Sequence, residues 1–281
     1  TLTLTRTRTL TSFLKALVAL DHSAVMRVHC WYERRLGGVA ASSQVSVATQ
    51  LLLGGDLLQR ACRLKYTAGH VHQVAATLVD GILALQAIGV CHIDLAPWTL
   101  LYATPQNAPL ATGLAISNAG FGAPLARRSA TTPLRAAFEP PELEAADGLR
   151  EGPGAVWALG RVLRLLLSGA VPAAPETGGG TDGVPAQPAD AQGRHSQGGQ
   201  PTDGSSVASA STVDAAAAAA LSSARMSAAI PPEAVVMLDD LCRALPEERP
   251  RAEDVMSLPW FASVASSANV GHGLGLGLGI G

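Results

Sequence analysis

Residues 155–169 read AVWALGRVLRLLLSG, apolar on nearly every side of a helical wheel. A helix without a polar stripe has no side to turn to water, so it belongs at the centre of a body with other elements packed around it. The chain has 281 residues and is 48% hydrophobic, which is enough apolar material for one large domain or two small ones. A formal net charge of −2 gives no electrostatic reason to expect nucleic acid or an anionic membrane as partner. Cys30, Cys62, Cys91 and Cys242 have no C-x-x-C spacing, so neither a zinc site nor a disulfide framework is predicted. Reduced thiols in an intracellular, cytoplasmic protein are the expectation. No apolar run reaches the roughly 18 residues of a membrane span, and no secretory signal is visible. The chain starts at Thr1 without a methionine, which leads us to expect a fragment or an imperfect gene model.

The elements that should surround the central helix follow from pattern. Residues 1–11, TLTLTRTRTLT, alternate with period two and read as a strand or, preferably, a low-complexity leader. SFLKALVAL, from Ser12, has helical spacing with Ser12 as N-cap. AVMRVHCWYE and SQVSVATQLLL read as strands separated by the turn-rich RRLGGVAAS. Gly54 and Gly55 should end the second strand, and Asp56 should open a short helix. HVHQVAATLVDGILALQAIG is an amphipathic helix with Val71, Val74, Leu78, Ile82 and Leu85 on one face and Gly89 as its stop. His70 and His72 are not at ligand spacing and are expected in solvent. Short strands around LLYA and GLAIS follow. Residues 170–229 are Gly, Ala, Pro, Ser and Thr with almost no large apolar side chain, so they are expected to form a disordered insertion. Helical order should resume over 230–264, and 265–281 should be a flexible tail.

Between the amphipathic helix and the LLYA strand lies CHIDLAPWTLLY, residues 91–102. A His-x-Asp-Leu followed by Pro and Leu-Leu has the form of a catalytic loop, yet Ile93, Ala96, Trp98 and Thr99 carry no ionisable group. This loop and its neighbours, in order, resemble the protein kinase family. LDHSAVMRVHCWYE resembles the end of the regulatory helix and the strand after it, and LLLGGDLL the hinge that meets adenine and ribose. GVCHIDLAPWTLLY stands at the catalytic loop, AISNAGFG at Asp-Phe-Gly and FEPPEL at Ala-Pro-Glu. VWALGRVLRLLLSG resembles the central helix, and LPEERPRAEDVMSLPWF the last helices, in the style of calmodulin-dependent-like kinases. The resemblance implies an α+β fold, mainly the helical C-lobe (54–169 and 230–264) with a partial N-lobe sheet (12–53).

Phosphoryl transfer depends on positioning and charge stabilisation, so each aligned position carries weight. Asp94 falls where the family's catalytic base stands. Ala96 replaces the lysine that steadies the transferring group. Thr99 replaces the asparagine that holds one magnesium and Asn118 the aspartate that holds the other, where a neutral amide is a poor substitute for a carboxylate toward a hard cation. Ile93 removes the arginine that pairs with a phosphorylated activation segment. Phe13 stands for the helix glutamate and Ala155 for the aspartate that braces the loop. The Gly-rich loop and strand lysine are absent from the sequence. Thr49, Asp56 and Leu101 are the candidate nucleotide-pocket residues, with a helix cap as the plainer use of Asp56. Asp94 has a plainer use too, as a loop-capping carboxylate. His92, Leu17 and Val28 fit the family's internal apolar stack. Trp157 is a packing residue, and Glu142 with Arg249 matches its buried ion pair. Ser129, Thr131 and Thr132, beside Arg127 and Arg128, are a candidate phosphorylation cluster. The resemblance therefore implies a kinase-like domain that is catalytically impaired, a pseudokinase that binds a protein partner, with no cofactor expected. The alternative is a fragment of an active serine/threonine kinase that uses ATP, magnesium and Asp94 on a protein substrate.

Overall fold

A computed structural model describes residues 2–36, 42–90, 95–104, 112–117, 133–143, 152–174 and 230–272. In chain order the elements are α1 (Leu2–Ala19), β1 (Val28–Leu36), β2 (Ser42–Thr49), α2 (Leu57–Arg63), α3 (Ala68–Ala87), β3 (Leu100–Tyr102), β4 (Leu114–Ile116), α4 (Pro133–Ala136), α5 (Pro153–Ser168), α6 (Pro232–Leu241) and α7 (Pro259–His272). Short 3₁₀ turns at Pro141–Leu143, Pro246–Glu248 and Ala252–Ser257 join the later helices.

The centre is α5. Val156, Trp157, Leu159, Val162, Leu163, Leu165 and Leu166 are all buried along it. One side of α5 packs on α3 and another on α6, while α3 also meets α7. The crossing with α6 is close because position 160 is glycine: a Cβ there would sit 2.6 Å from Cys242 Sγ and 2.9 Å from Leu241 Cβ. Gly169 ends α5 in the left-handed conformation, φ 70°, which suits a residue without Cβ.

β1 and β2 form an antiparallel hairpin in register Trp31↔Val47 and Glu33↔Val45, and α1 packs against β1. β3 and β4 form a second, smaller hairpin, Leu100↔Ile116 to Tyr102↔Leu114. The two are joined at their roots. Val25 bridges to Ile116, and Met26 N–H donates to the Ile116 carbonyl at 2.9 Å.

Four expectations need correction. Residues 265–272 continue α7 instead of beginning a flexible tail, and 273–281 lie outside the described residues. Residues 2–11 belong to α1, not to a strand or leader, and Ser12 lies inside the helix instead of capping it. The apolar repeat around Leu14 and Leu17, both buried, supplies a packed nucleus, and extending a formed helix costs far less than starting one. The second strand stops at Thr49, short of Gly54-Gly55, because residues 54–56 are drawn away to pair with β3. That leaves Leu51 and Leu53 as exposed connector residues, 78% and 79% accessible. His70 and His72 are half-buried instead of solvated. His70 completes a capping box with Thr67 at the start of α3, and the His72 ring meets Phe261 edge-on at 5.9 Å.

Candidate functional site

The site is built where the start of α2, the β3–β4 hairpin and the loop before β3 meet. Gly54 N–H donates to the Tyr102 carbonyl at 2.7 Å, and Tyr102 N–H donates to the Gly55 carbonyl at 2.9 Å. Asp56 and Leu101 are thereby bridged across the seam. Only glycine fits at 54, since a Cβ would lie 2.0 Å from the Thr104 carbonyl oxygen. Two of the three candidate pocket residues are thus neighbours. The third, Thr49, is exposed at the end of β2, opposite Val28.

Asp56 is occupied as a helix cap. Its carboxylate accepts from Gln59 N–H at 2.7 Å and from the Gln59 side chain at 2.9 Å. Burial pushes its pKa upward, against the opposing pull of those bonds. Below the seam lies a residue that the sequence reading missed, Arg60. It is 1% exposed. Its guanidinium stacks 3.6 Å from the centre of the Tyr102 ring and donates to the Thr104 carbonyl at 2.6 Å. Tyr102 meets Tyr66 hydroxyl to hydroxyl at 3.4 Å, and burial raises its phenol pKa. The available signal was position: Arg60 lies among Leu57, Leu58 and Ala61 on the buried side of a short helix.

The loop before β3 is described from Leu95 onward. Thr99, at one of the two metal positions, is 2% exposed. Its Oγ1 accepts from Ala96 N–H at 3.0 Å and donates to the Ala96 carbonyl at 2.9 Å. The hydroxyl therefore closes a turn upon itself. A divalent cation needs an oxygen presented outward with lone pairs free; this oxygen faces the loop's own backbone, so Thr99 does not fit a metal ligand. Ala96 is itself buried. Next to it Trp98 lies edge-on to Phe138, ring centres 5.5 Å apart, with the Arg135 guanidinium 5.7 Å over the Trp98 ring. These contacts fasten the loop to the segment holding α4. Cys91, His92, Ile93, Asp94, Asn118 and the Ser129–Thr132 cluster lie outside the described residues, as does most of 170–229.

On the far side, Glu142 and Arg249 meet in a bidentate pair at 2.6 and 2.8 Å. Arg249 also donates to the carbonyls of Arg243, Pro153 and Ala244. Each donor of a buried guanidinium thus has an acceptor. Trp157 is buried on α5 with the Arg161 guanidinium 5.1 Å over its ring. Arg161 in turn donates to the Ala137 carbonyl at 2.7 Å and to the Ala173 carbonyl. Leu17 and Val28 are buried in the common core. His22 Nε2 lies 3.3 Å from Asp80 on α3, anchoring the connection between α1 and β1.

No protein-family model matches this chain. Individual proteins do. Calcium-dependent protein kinase 9 of Oryza sativa subsp. japonica is 27% identical over 254 residues, covering 89% of this chain and 37% of that protein. Ribosomal protein S6 kinase 2 alpha of Xenopus laevis is 31% identical over 134 residues, covering 46% of this chain and 18% of that protein. The chain thus spans a minor part of the length of these relatives. Among solved structures, Rad53 1-466 in complex with AMP-PNP superposes with a TM-score of 0.55 at 18% identity, over 89% of this chain and 54% of that one. The shared architecture is α+β, helix-rich with small antiparallel hairpins.

Proposed function

From a chain that belongs to the protein kinase superfamily, we propose a domain that has kept the kinase body and lost phosphotransfer, and that acts by binding a protein partner. The observation that carries this reading is the Thr99 hydroxyl, closed on Ala96 and shielded from solvent. At the matching position the family needs a side chain turned toward magnesium. The neighbouring substitutions agree in sign. Ala96 supplies no charge, and Asn118 supplies an amide where a carboxylate is expected. Each charge-stabilising group of this kind is commonly worth one hundred to one thousandfold in rate, roughly 2.7–4 kcal/mol. Losing several leaves little above background.

The surviving nucleotide-side residues do not restore the site. Asp56 is committed to Gln59, and Thr49 is turned to solvent. Binding rather than chemistry is therefore the use left to the fold, through the surface that kinases present to substrates and partners. No helix among the described residues is long and apolar enough to cross a membrane. The reading is tested by incubating the purified chain with ATP and magnesium or manganese on generic basic and acidic protein substrates. Incorporation of phosphate at the background level of a heat-killed sample is expected. Robust incorporation would favour the alternative, an active serine/threonine kinase segment.

A further inference from the structure

Ser117 donates twice to a single acceptor. Its backbone N–H, at 2.8 Å, and its hydroxyl, at 2.7 Å, both reach the Thr99 carbonyl oxygen. The first bond continues the β3–β4 ladder one rung beyond Leu100↔Ile116. The second is not part of any ladder and exists only because residue 117 carries a hydroxyl. A carbonyl oxygen has two lone pairs, and the two donors match them. Both residues are buried, Ser117 at 3% and Thr99 at 2%, so bulk water does not compete for these bonds.

The places joined are informative. Thr99 stands at one of the two metal positions, and Ser117 directly precedes Asn118, the other. In a site that binds a divalent cation, the ion draws two such segments together from outside. Here the segments are tied by uncharged donors, and Thr99 is tied again to Ala96. Building on the impaired-site reading, we infer that Ser117 is a positioning residue whose hydroxyl clamps the Thr99 turn to the end of β4, so that the site holds its shape without metal or nucleotide. The substitutions at the metal positions are then one part of a replacement, in which direct bonds take over a cross-link.

The full chain, isotopically labelled, would be followed by NMR and amide exchange in EDTA, in magnesium alone and in magnesium-ATP. The clamp predicts that exchange at the Thr99 and Ser117 amides stays within about twofold across the three conditions. Ser117→Ala should accelerate exchange at Ala96 and Thr99 by about tenfold more than at core α5 amides, and should shift the Thr99 carbonyl carbon resonance. Ser117→Thr, which keeps the hydroxyl, should restore both. A tenfold gain in protection of wild-type Thr99 and Ser117 on adding magnesium-ATP would overturn the inference, as would an unchanged Thr99 carbonyl signal in Ser117→Ala. If Ser117→Ala fails to fold, the three-condition comparison on wild type still decides. Phosphotransfer measured on the same samples separates the two readings: activity with metal-independent protection defeats the impaired-site reading and leaves the clamp standing.

Discussion

The Glu142–Arg249 pair and the Thr99 turn are both buried, and they have been treated in opposite ways. At the first, a full positive charge is kept inside the protein, with a bidentate carboxylate and three carbonyls around it. At the second, in the strip where the kinase family concentrates charge, the described groups are neutral and bond to one another. The difference lies in what each group joins. Arg249 joins the Pro141–Leu143 turn, the start of α5 and the stretch after α6, so removing it strands Glu142 and several carbonyls at once. A metal ligand joins other parts of the protein only through the ion it holds. On the proposed reading, in which no ion is held, a small neutral side chain that satisfies its own backbone is the less costly occupant. Chemistry can therefore be lost at little cost to the fold.

That contrast predicts a ranking of stabilities. Arg249→Met should cost the most, roughly 3–5 kcal/mol of unfolding free energy by denaturant titration, whereas Thr99→Val should cost about 1–3 kcal/mol, as expected for a buried hydrogen-bonded group. Equal losses would erase the distinction between the two regions. Gly160→Ala comes next. With Cys242 Sγ and Leu241 already inside contact distance of a Cβ, the α5–α6 crossing must open, at about 1–3 kcal/mol. A neutral or stabilising result would show that α6 is not seated on α5 as described.

Cys242 gives a pH-dependent handle on the helical body. Burial raises its thiol from an ordinary value of 9.0 to about 11, against the pull of the Arg161, Arg164 and Arg249 charges. The folded protein thus favours the neutral thiol, so this contribution is complete below pH 9 and is lost as pH rises toward 11. Wild type should lose about 2–3 kcal/mol more than Cys242→Ala across that window. Parallel pH profiles for the two proteins would contradict the buried placement of the thiol. The smallest effect is expected at Asp56→Ala, about 1 kcal/mol for a lost helix cap. The loss should be the same with and without ATP. An ATP-dependent difference would return Asp56 to a nucleotide pocket.

The helical body was legible because its signals are local. The all-round apolar run of α5, the 3.6-residue spacing of Val71, Val74, Leu78, Ile82 and Leu85, and the cap at Asp56 each depend on neighbours in the chain. The pairing of Glu142 with Arg249 was legible only through the family resemblance, since 107 residues separate them. The extent of α1 was not legible, because Thr-Leu alternation suits a strand and the helix is extended from a nucleus further along. Nor were Ser117 and Arg60. What a hydroxyl at 117 bonds to depends on the register of β3 on β4, and Arg60 becomes a buried cation only when Tyr102 lies over it. The three-residue strands that decide both carry too little sequence pattern to fix a register.

The central claim is that this site no longer transfers phosphate, and one assay addresses it directly. Wild type, Asp94→Ala and the double variant Thr99→Asn with Asn118→Asp would be compared for phosphate incorporation from ATP with magnesium or manganese. The account predicts that wild type and Asp94→Ala give the same background signal. Incorporation by wild type that vanishes in Asp94→Ala would contradict it and establish Asp94 as a working base.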